Sequence, residues 1–236
     1  MLTTPSFRAQ TNDHHIWDEV VNANCYRLPD DLAGQTIVDI GCHIGSFALA
    51  CLVRDARMIC AFEPEPENYR LAYGFLAPYA NRCALWNAAV VRSDIVVTQQ
   101  YIQPYPLMPW CGLLNTGGQG TLEATGVRVR AMSIDALIDL VGTEIDLMKV
   151  DCQGSEWPIL LTATRLVRVR RLVGEFQEYG GAGQVPMPAA GQVAPHTIYT
   201  AALLADTLKR QGFTTEIVMS PHDPSHTIGL FFAERL

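Results

Sequence analysis

The sequence predicts an open α/β fold, in which a seven-stranded, mostly parallel sheet lies between two layers of helices and the last strand is antiparallel. Two observations predict it. Short apolar runs alternate along the chain with segments of helical periodicity, which is typical of parallel sheets covered on both faces. The last two strand-like runs, residues 213–219 and 226–234, are separated by a short polar stretch, which suits an antiparallel hairpin rather than a crossover.

The other elements of this sheet follow in order from residue 36. The strand-like runs cover residues 36–40, 58–63, 84–90, 145–151 and 171–176. The predicted helices start near Gly45, at Pro66, after Ser133, near Ser155 and at residue 197. Proline is favoured at the first helical position, serine is a good N-cap, and Gly212 stands where a left-handed residue commonly ends a helix.

Two segments fall outside this alternation. In the N-terminal segment, residues 1–35, we expect a short helix over 14–25 with Asp13 as its cap. In residues 93–132, two strand-like runs flank a stretch rich in Pro and Gly, which predicts an inserted hairpin with a long loop. We expect one domain over residues 1–236.

Composition and charge exclude several classes of protein. The chain is 49% hydrophobic, with a net charge of -7 and a pI near 5.3, which disfavours a basic face that grips nucleic acid or anionic membranes. No apolar run approaches a membrane span, and the N-terminus lacks a signal-peptide core, so we expect a cytoplasmic protein without a membrane partner. The seven cysteines include no C-x-x-C pair, and the histidines show no metal spacing, so we expect no metal site. Nothing in the sequence predicts the oligomeric state.

The turn after the first strand, "VDIGCHIGSF", has the form of a nucleotide-binding turn. Its glycines, Gly41 and Gly45, are spaced G-x-x-x-G, and His43 stands where a dinucleotide site needs a glycine to admit pyrophosphate. No Gly-Lys-Ser/Thr follows, which excludes the phosphate loop of nucleotide triphosphatases. The turn therefore favours a ligand without a pyrophosphate.

An acidic residue at the end of the second strand narrows the choice of ligand. Glu63 ends the second strand about 20 residues after Gly41, the spacing at which a carboxylate binds a ribose diol. A ribose without pyrophosphate indicates S-adenosylmethionine, and Asp39 then lies where it would reach the methionine ammonium. Asn87 and Ala88, after the third strand, are candidates to read the adenine edge, although Asn also ends strands as a turn residue.

Over roughly residues 36–176 the chain resembles the FkbM family of S-adenosylmethionine-dependent methyltransferases. The resemblance rests on five stretches: "VDIGCHIGSF", "AFEPEPENY", "NAAV", "LMKVDCQGSEWPIL" and "VGEF". The resemblance implies the class I methyltransferase (Rossmann-like) three-layer sandwich and methyl transfer, most often to a hydroxyl of a sugar, polyketide or other natural product. This chain departs from the family's usual sequence at three places. It has Cys42-His43 where the family usually has Ala-Asn, Gln153 where the family usually has an acid, and Gln177 where the family often has a His.

The candidate site residues fall into two groups. The cofactor-binding candidates are Asp39, Gly41, Cys42, His43, Gly45, Ser46, Phe47, Glu63, Pro64, Asn68, Asn87, Ala88 and Asp151. A hydroxyl acceptor needs a base, and the acids at the strand ends offer one. The candidates are Asp151 and Glu156, then Glu175, with Lys149 orienting Asp151 and His43 as a further possible base. A purely structural Lys149–Asp151 ion pair and a Glu156 placed at a helix N-terminus are the alternative.

Three other readings of the same fold stay open. An N- or carboxyl-methyltransferase acting on a peptide needs the same cofactor turn, an NAD-dependent oxidoreductase needs a dinucleotide, and a non-catalytic descendant needs neither acceptor nor base. The expected partner is a small-molecule acceptor. The loops 103–126 and 179–196 contain apolar side chains that are candidates to wall its pocket, namely Tyr105, Met108, Trp110, Tyr179 and Met187; surface loops with incidental aromatics are the alternative.

Overall fold

The computed structural model describes residues 7–102, 107–108, 113–117, 121, 126–221, 223 and 225–236. The helices are α1 Asp13–Trp17, α2 Ser46–Leu52, α3 Pro66–Leu76, α4 Ile134–Val141, α5 Glu156–Thr162 and α6 Ala201–Arg210. The strands are β1 Thr36–Ile40, β2 Met58–Phe62, β3 Cys83–Trp86, β4 Ala89–Val91, β5 Gln99–Ile102, β6 Leu107–Met108, β7 Leu113–Leu114, β8 Val127–Ser133, β9 Leu147–Val150, β10 Arg171–Gln177, β11 Phe213–Met219 and β12 Ile228–Arg235.

The main sheet has seven strands in the order β11-β12-β10-β9-β1-β2-β3. The pairs from β10 to β3 are parallel, and β12 runs antiparallel to both β10 and β11. The predicted fold class, including its antiparallel last strand, is therefore confirmed. No helix among the described residues is long and apolar enough to cross a membrane.

The central strand β1 carries a buried carboxylate, that of Asp39. All five of its residues are buried, because helices cover both faces of the sheet. Val38 and Ile40 pack into the core under α4, α5 and α6, whereas Ile37 packs into the core under α2 and α3. Alternation along a strand puts Asp39 on the same face as Ile37, so its carboxylate is buried at the α2 side of the sheet.

The predicted run 84–90 is divided between two sheets. β3 continues the main sheet, but after Asn87 the chain leaves it, and β4 pairs in parallel with β8 in a three-stranded sheet. Strand β8 also pairs antiparallel with β5, with Gln99 opposite Arg130, so the inserted hairpin is confirmed. Periodicity cannot show this division, because both pieces are short apolar strands.

Two helix predictions need correction. The helix expected over 14–25 is α1 followed by one π turn, Asp18–Asn22, and its N-cap is Asn12 rather than Asp13. The helix expected from residue 197 begins at Ala201, where the hydroxyl of Thr200 accepts the backbone N–H of Leu203. A polar cap two or three residues inside a predicted helix outweighs the apolar periodicity that precedes it. The single domain over residues 1–236 stays a prediction.

Candidate active site

A cavity of about 600 Å³ opens at the carboxyl ends of the central strands. The turns after β1 and β2 form one wall, and the loop after β9 and the strand end of β10 form the opposite one. Residues of the N-terminal segment, residues 115–117, and residues 218–221 and 228–230 of the β11–β12 hairpin also line it. Ligands of open α/β sheets bind at this edge.

The glycines of the turn after β1 serve close packing as well as backbone conformation. Gly41 has a φ of +78°, and a Cβ there would lie 1.9 Å from the backbone carbonyl oxygen of Asp151. Gly45 has a φ of +91°, and a Cβ there would lie 2.9 Å from the side chain of Leu76 on α3. Gly41 therefore brings the β1 turn against the β9 loop, and Gly45 seats α2 against α3 without lining the cavity.

A buried ion pair lies beneath this turn. The ammonium of Lys149 donates to Asp39 Oδ1 at 3.1 Å and to the carbonyl of Gly41 at 2.8 Å, and lies 3.7 Å from Asp151 Oδ2. Although burial opposes it, the carboxylates of Asp39 and Asp151 raise the pKa of Lys149, so it stays charged. Asp39 itself does not line the cavity, and its Oδ2 has no hydrogen-bond partner among the described residues.

Glu63 presents a carboxylate at the cavity wall. Its two oxygens accept the backbone N–H groups of His43 at 2.8 Å and of Glu65 at 2.9 Å. Burial raises its pKa to about 7. The side chain of Asn68 also hydrogen-bonds this carboxylate. An ionised carboxylate has about four lone-pair sites, so Glu63 can still accept from a ligand hydroxyl.

Asn87 and Ala88 are placed differently from each other. The side-chain amide of Asn87 donates to the backbone carbonyls of Glu63 and Pro64, which holds the turn after β2. Asn87 does not line the cavity, whereas Ala88 and its neighbour Ala89 do. Asn87 thus supports the cavity wall from behind, and Ala88 and Ala89 form the surface that an adenine ring would contact.

The three candidate acids have different surroundings. Asp151 lines the cavity and accepts from the Tyr26 hydroxyl at 2.8 Å. Glu156 does not line it; its oxygens accept the backbone N–H groups of Cys152 and of Gly154. This contact matches the structural alternative, because Glu156 closes its own turn at the start of α5.

Glu175 lines the cavity beside Asp151. Burial, with the negative charges of Asp151, Glu156 and Glu19, raises its pKa well above the ordinary value. The amide of Gln153, at 3.5 Å, opposes this shift only weakly. The ionised form of a carboxyl whose pKa is raised is a stronger base than an ordinary surface carboxylate, so Glu175 in its ionised form is suited to take a proton.

From the sequence, the N-terminal segment with Trp17 and Tyr26 is a candidate to close over the cofactor, and Tyr26 does line the cavity, but sequence reasoning missed the roles of Asp13 and Thr116. Asp13 is buried, and its carboxylate pairs with Arg8 at 2.7 Å and accepts from the Thr116 hydroxyl at 2.6 Å. Thr116 in turn lies 2.9 Å from His43 Nε2. Residues about 100 positions apart meet here, and no local pattern in the sequence signals such a contact.

The part of the cavity lining that the β11–β12 hairpin contributes is mostly apolar. It includes Val218, Met219, Pro221 and Leu230 from the β11–β12 hairpin. The expectation for the loop 179–196 is wrong: Tyr179 and Met187 pack into the core with Trp157 and do not line the cavity. Tyr105 and Trp110 lie outside the described residues, as does the side chain of Met108.

The lining residues fit an adenosyl sulfonium cofactor better than a dinucleotide. Among the described lining residues Lys149 is the one Lys or Arg, and it is already paired with Asp39, which leaves little positive charge for a pyrophosphate. Two lining groups, His43 Nδ1 and Ser46 Oγ, are buried without a hydrogen-bond partner in the described part of the chain. Within that part, no His, Cys, Asp and Glu residues cluster as metal ligands.

Comparisons with known proteins identify the same fold and cofactor. A family model described as the methyltransferase FkbM domain matches residues 39–214. The crystal structure of a methyltransferase FkbM from Methylobacillus flagellatus is similar over 92% of this chain and 47% of that chain, with a TM-score of 0.52 and 17% identity. This chain thus spans about half of that protein.

A candidate S-adenosylmethionine-dependent methyltransferase from Listeria monocytogenes is similar over 92% of this chain and 98% of that chain. Its TM-score is 0.51 and its sequence identity 10%. At such identities the two structures show the fold alone. No curated protein sequence gives a significant match.

Proposed function

Because the chain belongs to the FkbM family of S-adenosylmethionine-dependent methyltransferases, we propose that it methylates a hydroxyl oxygen of a small molecule. S-adenosylmethionine is its cofactor, and when bound it supplies an electrophilic methyl group on a sulfonium. The protein's task is then to align the acceptor and to remove its proton. The observation that carries the proposal is that Glu175 and Asp151 line the same cavity as the glycine turn and Glu63.

The cofactor residues lie on the β1–β2 side of the cavity. Glu63 accepts the ribose hydroxyls, and the turn from Gly41 to Phe47 holds the amino-acid portion, with His43 and Ser46 as the polar side chains available to it. Asp39 acts through Lys149, which it keeps charged beneath the turn. Asn68 supports the site from α3, where its amide donates to the Thr116 carbonyl at 2.9 Å.

Glu175 is the general base of the proposed reaction. It takes the hydroxyl proton as the oxygen attacks the methyl carbon, and its raised pKa suits that step. Asp151, held by Tyr26 and near Lys149, accepts a hydrogen bond from the acceptor and orients it. Placing the base on β10 and the orienting acid on β9 uses two rigid neighbouring strands.

The acceptor is a small molecule with an apolar part beside its hydroxyl. The β11–β12 hairpin supplies apolar surface next to the acids. The net charge of -7 and the carboxylates of Glu19, Asp151 and Glu175 at the cavity disfavour a phosphate-rich acceptor such as a nucleic acid. With this composition we also expect the enzyme to act in the cytoplasm.

A product analysis tests the proposal. The protein is incubated with S-adenosylmethionine and a panel of hydroxylated glycosides, amines, carboxylic acids and short peptides, and released S-adenosylhomocysteine is measured. We expect release with hydroxylated acceptors and a methyl ether by mass spectrometry and NMR. A methylated nitrogen or carboxylate, with no methyl ether from any acceptor, would overturn the choice of a hydroxyl. Binding of NAD in place of S-adenosylmethionine would overturn the proposal altogether.

A further inference from the structure

His43 and Ser46 are the two residues of the glycine turn that have a buried side-chain atom without a hydrogen-bond partner among the described residues, and His43 is the one that can titrate. It is 7% exposed and lines the cavity. Its ring has two nitrogens with opposite surroundings: Nε2 lies among polar groups of the N-terminal segment, whereas Nδ1 has no hydrogen-bond partner among the described residues. A buried ring nitrogen without a partner costs free energy, so a ligand atom is expected to meet it.

The neighbours of Nε2 determine which nitrogen carries the proton. Thr116 Oγ1 lies 2.9 Å from Nε2, and the same hydroxyl lies 2.6 Å from Asp13 Oδ1 and 2.9 Å from Asn12 Oδ1. A hydroxyl has one proton, and Thr116 gives it to one of these two acceptors. Arg8 Nη2 also lies 3.4 Å from Nε2, but its two N–H groups donate to Asp13 and Asn68 at 2.7 Å each. The Thr116 oxygen therefore accepts from His43, and Nε2 is the protonated nitrogen.

Charge around the ring keeps this arrangement. Burial lowers the pKa of His43, more strongly than the carboxylate of Asp13 raises it, so the ring is neutral near pH 7. Asp13 stays ionised, because Arg8 donates to both of its oxygens. The charged groups facing the ring are Asp13, Arg8 and Lys149, and the backbone N–H of His43 is bound by Glu63.

We propose that Asp13 and Thr116 hold His43 in the tautomer protonated at Nε2, so that Nδ1 accepts a hydrogen bond from the bound cofactor. This inference rests on the proposed cofactor site. Nδ1 then meets an N–H or O–H donor, which S-adenosylmethionine carries on its α-ammonium, its ribose and its adenine amine, and not on its α-carboxylate. His43 is a cofactor-binding residue, and Asp13 and Thr116 are positioning residues that tie the N-terminal segment to the cofactor.

Two substitutions at His43 separate the two nitrogens. His43→Asn places an amide oxygen near the position of Nδ1, and asparagine tolerates the observed φ of +54°. His43→Gln reaches toward Thr116 but offers no acceptor in place of Nδ1. By calorimetry we expect the S-adenosylhomocysteine affinity of H43N within about threefold of wild type and that of H43Q about tenfold weaker.

Thr116→Val tests the positioning role without touching His43. It removes the hydroxyl that fixes the tautomer but leaves the Arg8–Asp13 ion pair, and we expect about a fivefold loss of affinity. The matched control is Thr36→Val, which removes another buried threonine hydroxyl at the opposite end of β1 and leaves affinity unchanged. Thermal melts of each variant separate loss of binding from loss of folding.

Nitrogen-15 NMR of the wild-type histidines reads the tautomer directly, with the His43 signals assigned by their absence in H43N. We expect neutral His43 protonated at Nε2 at pH 7, and a mixed tautomer in Thr116→Val. Repeating the H43Q comparison with 5′-methylthioadenosine, which lacks the amino-acid portion, locates the donor. A penalty that persists assigns the donor to the adenosine portion, and one that vanishes assigns it to the ammonium.

The inference fails if His43 is protonated at Nδ1, or if H43N and H43Q bind equally. It fails separately from the proposed function, because wild-type protein that binds neither S-adenosylmethionine nor S-adenosylhomocysteine would overturn the cofactor site itself.

Discussion

The two sides of the cavity are built by different kinds of contact. On the cofactor side, Glu63 is held by the backbone N–H groups of His43 and Glu65. On the acceptor side, Asp151 is held by the Tyr26 hydroxyl and Glu175 by a long contact to Gln153. Backbone contacts depend on the fold alone, whereas side-chain contacts change with each substitution. We therefore expect the cofactor side to be the more rigid half and the acceptor side to be the half that sets specificity.

Gly41 joins the two sides, and its substitution should have the largest effect. A Cβ would collide with the Asp151 carbonyl, so Gly41→Ala must push the β1 turn away from the β9 loop. We expect a loss of about 4 kcal/mol in the free energy of unfolding, measured by denaturant titration.

The control for this substitution is Gly34→Ala. Gly34 has the same φ of +78°, but nothing lies within 4 Å of its Cβ position. It should cost only the left-handed backbone, about 1 kcal/mol. Equal losses for the two variants would mean that the close approach at Gly41 contributes nothing.

Glu175→Gln breaks the acceptor side alone. Because the amide cannot take a proton, we expect kcat to fall by about a hundredfold, while calorimetry gives an S-adenosylmethionine Kd within about twofold of wild type. Glu216→Gln, an exposed acid on β11 paired with Arg27, is the control and should change neither quantity. A Glu175→Gln enzyme with wild-type kcat would remove Glu175 from the chemistry.

Glu63→Gln breaks the cofactor side alone. The amide has a donor in place of one accepting oxygen, which then faces a backbone N–H group, and it carries no negative charge. We therefore expect S-adenosylmethionine to bind about thirtyfold more weakly. Glu67→Gln, a half-exposed acid in the first turn of α3, is the control. An unchanged Kd in Glu63→Gln would show that this carboxylate does not bind the ribose.

The Glu63 carboxyl should also make the free energy of unfolding depend on pH. Burial raises the folded pKa of Glu63 to about 7 from 4.5, so the folded protein binds a proton that the unfolded chain releases. The resulting stability is present below about pH 4.5 and is lost as the pH rises through 7. Relative to Glu63→Gln, the cofactor-free wild type should lose about 2 kcal/mol between pH 5 and 8 in denaturant titrations. A difference between the two proteins that is constant over this range would contradict the raised pKa.

Local patterns carried most of the fold prediction and the outline of the site. The strand TIVDI, the helix opening at Pro66 and the Ser133 cap are each specified by neighbouring residues, and they occur as predicted. The division of run 84–90 between two sheets depends on distant partners, which no local pattern reports.

The sequence predicted the placement of some acids in the site but not the partners of others. Glu63 and Asp151 line the cavity because the end of a parallel strand fixes their position. The carboxylates of Asp39 and Glu156 are instead engaged with Lys149 and with backbone N–H groups. The residue type and its place along a strand do not show where a side chain finds its partner, because that depends on burial and packing around it.

By itself the sequence determined the order of strands and helices, the glycine turn and the family, because these depend on short-range periodicity and on motifs a few residues long. Only the tertiary structure decided that Asp13 and Thr116 meet His43, and that Tyr179 belongs to the core rather than the cavity. Contacts between residues a hundred positions apart depend on how the whole chain packs. The histidine at the third position of "GCHIG" is therefore understood through an N-terminal segment that no motif connects to it.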